Sequence, residues 1–198
     1  MVVVFPLLWI ASVFGPVVVA AFEIGRRIRM LITSFSWGFS IASSTLVGQA
    51  LGGGDEREAA ATGAAIIRLS AVIYVAVAAT VIAVPDPIAA LFVSTPAEVA
   101  QAATFVQVAA ISAVARGVDG SAPGALRGAG DTRWPFLASV LGRWAVALPV
   151  AVVGLATPLG VVGLYLALTL ECVVPGVLNL WRFRTDRWRA ISRTYRPS

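Results

Sequence analysis

Gly48-Gln49-Ala50-Leu51-Gly52-Gly53-Gly54-Asp55-Glu56-Arg57-Glu58 separates two long apolar segments, and its reading decides the fold. Glycine adopts the left-handed conformations that close a helix, so Gly52-Gly53-Gly54 is expected to end the first segment. Asp55 with Glu58 three residues on is a capping-box pattern, which starts a new helix at once. A second junction, Gly124-Ala125-Leu126-Arg127-Gly128-Ala129-Gly130-Asp131-Thr132-Arg133, repeats the chemistry. Gly48/Gly52 and Gly124/Gly128 both have GxxxG spacing, which permits either close helix packing in lipid or a hinge.

Working outward from these junctions, the chain divides into apolar helices. A short or incomplete first span is expected to about Phe14, before Gly15-Pro16, and a second over about 18–51. The third runs to about Val84, where Pro85-Asp86-Pro87 is expected to stop it. Thr95-Pro96-Ala97-Glu98 opens the fourth with a threonine cap, proline at N1 and glutamate at N3. This more polar helix is expected to reach about Ala122, followed by the 126–133 loop. The fifth and sixth are expected over about 135–155 and 159–183.

Composition agrees. Of 198 residues, 59% are hydrophobic and 13% charged, and mean hydropathy is +0.88. Soluble domains carry about 25% charged residues, so a soluble globular or disordered chain is excluded. With about 20 residues per membrane helix there is room for five or six spans and little else. The fold class expected is all-α: a polytopic six-helix membrane bundle occupying 1–183, with a basic tail at 184–198. The opening Met1–Phe22 stretch lacks the positively charged lead of a signal peptide and reads as starting within a membrane helix.

The side-chain inventory removes most catalytic chemistry. There is no histidine, every basic residue is arginine, and Cys172 is the single cysteine. Metal cages of histidine or thiolate, Ser-His-Asp triads and disulfides within one chain are therefore excluded, and an enzyme is not expected. Neither a metal nor an organic cofactor is expected. Arg182, Arg184, Arg187, Arg189, Arg193 and Arg196 crowd the C-terminus, with Trp181 and Trp188 among them. A cytoplasmic tail under the positive-inside rule, with tryptophans at the lipid interface, accounts for this better than nucleic-acid binding, which is not expected. Both glycine junctions then fall on the cytoplasmic side and the 85–98 connection outside. Arg26, Arg27 and Arg29 are the exception on the outer side. Glu23 is spaced to pair with Arg26 and Arg27.

Ionisable residues inside spans are the functional candidates, because each costs at least about 2.5–3.5 kcal/mol to insert. Glu171 is the deepest; it is either a cavity acid that titrates or attracts cationic substrate, or an acid kept protonated or paired with an arginine, for which Arg143 is a candidate. Asp119 is a cavity acid or the i,i+3 partner of Arg116. Arg68 is expected to snorkel or pair. Glu23 and Arg26 either line an outer mouth or form an ion-paired helix start.

Ser43-Ser44-Thr45-Leu46-Val47-Gly48-Gln49-Ala50-Leu51-Gly52-Gly53-Gly54-Asp55 resembles the VGQxLGxGD signature of the multidrug and toxic compound extrusion (MATE) family. The 124–133 junction is similar to that family's LRGxGDT signature, and the separation and Pro149 agree. The resemblance covers nearly the whole chain but only the C-terminal half of a member, helices seven to twelve. It implies secondary active efflux of amphipathic, often cationic, small organic compounds. Sodium or protons would be the coupling ion, with alternating access between two lobes in the cell membrane. It implies structural roles for Gly48, Gln49, Gly52, Asp55, Arg127, Gly128, Gly130 and Asp131. In some branches acids of helices seven and ten contribute to coupling. Asp119 falls in helix ten and the first stretch has no acid before Glu23, so coupling is expected to reside largely outside this chain. Expected partners are membrane lipid and either the absent N-terminal lobe or a second copy in a homodimer. A lipid-linked oligosaccharide or polysaccharide flippase of the same superfamily and a non-transporting membrane assembly subunit are the alternatives.

Overall fold

The computed structural model describes residues 4–13, 15–91, 96–158 and 160–194; at 4–7, 11, 16–18, 20–29, 96–98, 100–102, 104–105, 108–109 and 160–161 the backbone alone is described. Every element among the described residues is helical: α1 (Val4–Val13), α2 (Pro16–Gly52), α3 (Glu56–Ala83), α4 (Pro85–Ala90) and α5 (Pro96–Gly128). These are followed by α6 (Arg133–Val140), a π-helical segment (Leu141–Ala147), α7 (Leu148–Ala156), α8 (Gly160–Arg184) and α9 (Arg187–Thr194). Among the described residues four stretches are long and apolar enough to cross a membrane: Met30–Gly52, Glu56–Ala83, Arg133–Ala156 and Val162–Arg184. The polar α5, 33 residues and so about 50 Å long, packs against α2, α3, α4 and α8 at the centre of the bundle.

The helices meet through small residues rather than large ones. On α3 the buried positions are Ala59, Gly63, Ile67, Ser70, Tyr74 and Ala78, a stripe at three- and four-residue spacing. On α2 and α5 the match is closer still. A Cβ added at Gly120, Gly124 or Gly128 would strike Ser36, Ser40 or Ser44. The two helices therefore run parallel with backbones touching over successive turns, where dispersion takes the place of a hydrophobic drive that lipid does not supply. Outward faces carry Phe35, Trp37, Ile41, Leu69, Val72 and Phe136, all exposed, as a bundle surrounded by lipid requires.

Two apolar clusters hold the ends. Ile10, Ala147, Ala151, Leu164, Ala167 and Leu168 form one. Val47, Leu51, Ala59, Ile67, Ala122, Ala125, Leu126, Ala129, Phe183 and Trp188 form the other, beside the two glycine junctions. Between them lies a polar layer.

Two of the sequence-based expectations need correction. The fourth predicted helix does not end near Ala122: α5 passes through Pro123 and stops at Gly128, so the 126–133 loop shrinks to a tight turn. A proline inside a helix costs one hydrogen bond, and the Gly120 and Gly124 contacts with α2 hold the segment helical. Pro85-Asp86-Pro87 does stop the third helix, α3 ending at Ala83, and it also opens the short α4, because proline suits a first helical turn. The basic stretch after α8 contains α9. Trp188 is fully buried, stacked on Phe183 with centroids 5.7 Å apart, rather than placed at a lipid interface, whereas Trp181 is exposed.

Candidate functional site

The two glycine junctions are the same local structure twice. In the first, Gly53 N bonds Gln49 O, Gly54 N bonds Leu51 O and Asp55 N bonds Ala50 O. In the second, Ala129 N bonds Ala125 O, Gly130 N bonds Arg127 O and Asp131 N bonds Leu126 O. Gly54 and Gly130 take positive φ, 87° and 84°. The aspartate after each caps the next helix: Asp55 Oδ1 accepts from Glu58 N at 2.8 Å and Asp131 Oδ1 from Trp134 N at 3.3 Å. These motifs close helices. Gln49 is exposed, and Arg127 donates to Ser40 Oγ at 2.6 Å.

The C-terminal arginines tie both junctions down. Arg182 Nε bonds Asp131 Oδ2 at 2.9 Å, and Arg193 reaches Glu56 through two bonds of 2.9 Å. The ends of α2, α5 and α8 and the starts of α3 and α6 therefore lie together at one end of the bundle. The sequence signal for this was the arginine cluster, read only as a charge bias. Of the glycine pairs, Gly124 and Gly128 pack closely, a Cβ added at Gly48 would make ordinary contact with Gly128 O at 3.5 Å, and one at Gly52 would meet open space.

Among the described side chains, four charges occupy the polar layer between the apolar clusters. On α5, Arg116 Nη1 bonds Asp119 Oδ2 at 3.0 Å, both side chains buried. On α8, Glu171 Oε1 lies 3.4 Å from Arg143 Nε of the π segment; the arginine side chain is 39% exposed and the glutamate 11%. The expected pairings are both present. The pairs are also one cluster: Asp119 is within electrostatic range of Arg143 and Glu171, and Gly176 sits against Asp119 Cβ. At 1.5 Å per residue, Asp119 and Arg143 lie about 14 and 15 Å from the junction-side ends of their helices, and Glu171 about 20 Å. All three are deep within the span.

Backbone irregularities converge on the same layer. Pro123 and Pro175 stand inside α5 and α8, each four residues after one of the acids. Each proline removes the helical N–H that would serve the carbonyl of Asp119 or Glu171. The π segment arises just before Pro149, and its Gly142 abuts Pro175: a Cβ there would lie 2.6 Å from the proline Cδ. π-helical turns of this kind concentrate at functional sites. Hydroxyl bonds brace the layer. Ser70 Oγ meets Ser121 Oγ at 2.8 Å, Ser112 Oγ meets Thr169 Oγ1 at 2.8 Å, and Tyr74 donates to Ile32 O at 2.6 Å. Glu23 and Arg26 fall on α2, but their side chains lie outside the described residues. Arg68 is exposed on α3. Among the described residues no group of His, Cys, Asp and Glu is placed to hold a metal as a set.

Buried acids beside interrupted helices in a membrane bundle are the geometry of ion and substrate pathways. The family profile described as MatE matches residues 3–153, well over half of the chain. The chain belongs to the MatE family. A probable multidrug resistance protein NorM of Rhodopseudomonas palustris is 34% identical over 83% of this chain and 36% of its own length. Multidrug and toxin extrusion protein 1 of Oryctolagus cuniculus is 25% identical over 91% of this chain and 32% of its own. The crystal structure of the eukaryotic MATE transporter AtDTX14 superposes with a TM-score of 0.81 at 18% identity, covering 89% of this chain and 40% of that one. This MatE chain thus has the fold of a MATE transporter segment and spans about a third to two fifths of the curated relatives' length. Members of the family are membrane transporters, not enzymes.

Proposed function

We propose that this MatE chain forms the C-terminal six-helix lobe of a cation-coupled exporter of amphipathic or cationic organic compounds. Sodium or protons supply the driving gradient and no other cofactor takes part. The cleft is completed by an N-terminal lobe or by a second copy of the chain, and alternating access comes from rocking of one lobe against the other. The protein lies in the cell membrane among its lipids, with the arginine-rich C-terminus in the cytoplasm.

The observation that carries this reading is the buried layer of Asp119 and Glu171 in helices broken by proline, within a chain of this family. Carboxylate oxygens and main-chain carbonyls that have lost a helical donor are ligands that hard cations accept. A flippase for anionic lipid carriers would need a basic cavity, and the described charges of this layer balance instead.

The test is resistance of a drug-sensitised host expressing the chain in its complete transporter. Glu171→Gln and Asp119→Asn are each expected to cut efflux by at least about tenfold, a barrier change of about 1.4 kcal/mol. Full resistance in both variants at equal expression removes these acids from the mechanism.

A further inference from the structure

We propose that Arg133, Arg184 and Arg187, gathered around the Trp134–Trp181 pair, form a docking site for the headgroup phosphate of an anionic phospholipid. Such a site requires only that the chain spans a membrane, and it holds whether or not the transport reading does. Arg133 is the first residue of one apolar span and Arg184 the last of another, and α6 and α8 pack together. Trp134 Nε1 donates to Leu178 O at 3.3 Å, and the Trp134 and Trp181 rings lie tilted with centroids 5.8 Å apart. These contacts fix the two span ends side by side. Arg187 opens α9 just beyond, its guanidinium 5.2 Å from the centroid of the Trp181 ring.

The positive charge here has no counter-charge of its own. Asp131 is taken by Arg182, and Asp186 by Arg189. Arg133, Arg184 and Arg187 are exposed, and among the described residues none of them has a carboxylate within ion-pair distance. Glu23 and Glu98, the acids whose side chains are not described, belong to the opposite ends of α2 and α5, about 45 Å away along the helices. Residues 195–198 bring an arginine and no acidic side chain. Unpaired arginines at the end of a membrane span meet the phosphate layer of the bilayer first. Their forked N–H donors match phosphate oxygens, and the Trp181 ring restrains Arg187 without consuming its charge or its donors.

The surface below the arginines favours a lipid over a free phosphate. Phe136 and Leu137, one turn into α6 from Arg133, are exposed, as are Val177, one turn before Trp181 on α8, and Trp181 itself. Exposed apolar side chains therefore run down both spans from the cationic cluster, where acyl chains lie when the phosphate is engaged. Tryptophan at this height, between acyl chain and headgroup, is the usual interface residue of a span.

The 198-residue chain in detergent micelles is titrated with phosphatidylglycerol and, separately, with zwitterionic phosphatidylcholine, and bound lipid is counted by native mass spectrometry. Phosphatidylglycerol is expected to bind more tightly. Arg133→Gln and Arg187→Gln are each expected to weaken it about fivefold and to leave phosphatidylcholine unchanged. Arg187→Lys keeps the charge but loses the fork, and is expected to fall between Arg187→Gln and the unaltered chain. Arg57→Gln removes an equal charge from the exposed first turn of α3 and is expected to change nothing. Equal weakening by Arg57→Gln overturns the site, since the attraction would then be one of diffuse charge. Equal binding of the two lipids by the unaltered chain overturns it as well. Glycerol 3-phosphate, added as competitor, is expected to leave the bound lipid in place; displacement at concentrations matching the lipid assigns the cluster to free phosphate and overturns the lipid occupant.

A second measurement keeps every arginine. With 5-fluorotryptophan incorporated, the ¹⁹F resonance of Trp181, assigned by its absence in Trp181→Phe, is expected to shift with phosphatidylglycerol and to stay in place with phosphatidylcholine. No shift at saturation, or the same shift with both lipids, overturns the docking site.

Discussion

Asp131 shows how much one carboxylate holds in this protein. It caps α6 through Trp134 N and takes Arg182 Nε at 2.9 Å, and it is 3% exposed. Arg182 in turn lies over the Trp134 ring, and Trp134 Nε1 donates to Leu178 O. Asp131→Ala removes the cap and leaves a mostly buried guanidinium without its counter-charge, which costs about 3 kcal/mol or more. Denaturant unfolding of the purified protein in detergent should show that loss; a change below about 1 kcal/mol would mean that Arg182 finds another partner. The bond between Arg193 and Glu56 has better geometry but matters less, since Arg193 is largely in water. The hydrogen bonds Arg193 donates to Glu56, then the charge of that carboxylate, raise the Arg193 pKa above the ordinary arginine value. A raised value keeps the guanidinium charged throughout the neutral range, so Glu56→Gln is expected to leave both the unfolding midpoint and its pH dependence unchanged near neutrality.

At the scale of elements, the contact of α2 with α5 depends on the absence of side chains. Gly124→Ala and Gly128→Ala place a methyl against the Ser40 and Ser44 backbones, and backbone cannot yield as a flexible side chain does. Each is expected to lower the thermal midpoint and the folded yield, with overpacking costs of about 1–3 kcal/mol. Gly52→Ala meets nothing within 4 Å at the end of α2 and should be neutral or slightly stabilising. Equal damage from Gly52→Ala and Gly128→Ala in a midpoint series would remove close packing as the reason for these glycines. The comparison also shows what the sequence allowed one to see. The junction glycines, the Asp55 cap and the pairing of Arg143 with Glu171 were legible, because each follows from local spacing or from the cost of an unpaired charge. The stripe of Gly120, Gly124 and Gly128 against Ser36, Ser40 and Ser44 was only half read. Serine at four-residue spacing signals nothing until a glycine face lies opposite. The course of α5 through Pro123, the π segment and the burial of Trp188 were not legible. Each depends on a neighbour far away in sequence: the α2 backbone, Pro175 and Phe183.

For the whole molecule, the decisive quantity is how much of a transporter the chain supplies. It spans 36% of the Rhodopseudomonas palustris relative and 32% of the Oryctolagus cuniculus one, while its fold matches 40% of the AtDTX14 chain. A cleft that opens to alternate sides needs a surface on each side of the substrate, and one bundle provides only one. The polar layer makes the same demand. Arg143 is partly exposed at a depth where lipid would surround it, and an arginine facing hydrocarbon is costly. A second bundle with an aqueous cleft between the two removes that cost. The 198-residue chain reconstituted by itself into proteoliposomes is therefore expected to show no gradient-driven efflux of a fluorescent organic cation. Co-reconstitution with a complementary N-terminal lobe should restore it, and restoration should fail when that lobe is paired with the Glu171→Gln chain. Efflux by the chain alone would point to a homodimer instead. Cross-linking between cysteines introduced at Arg143, in a background where Cys172 is serine, should then capture the two copies across a shared cleft.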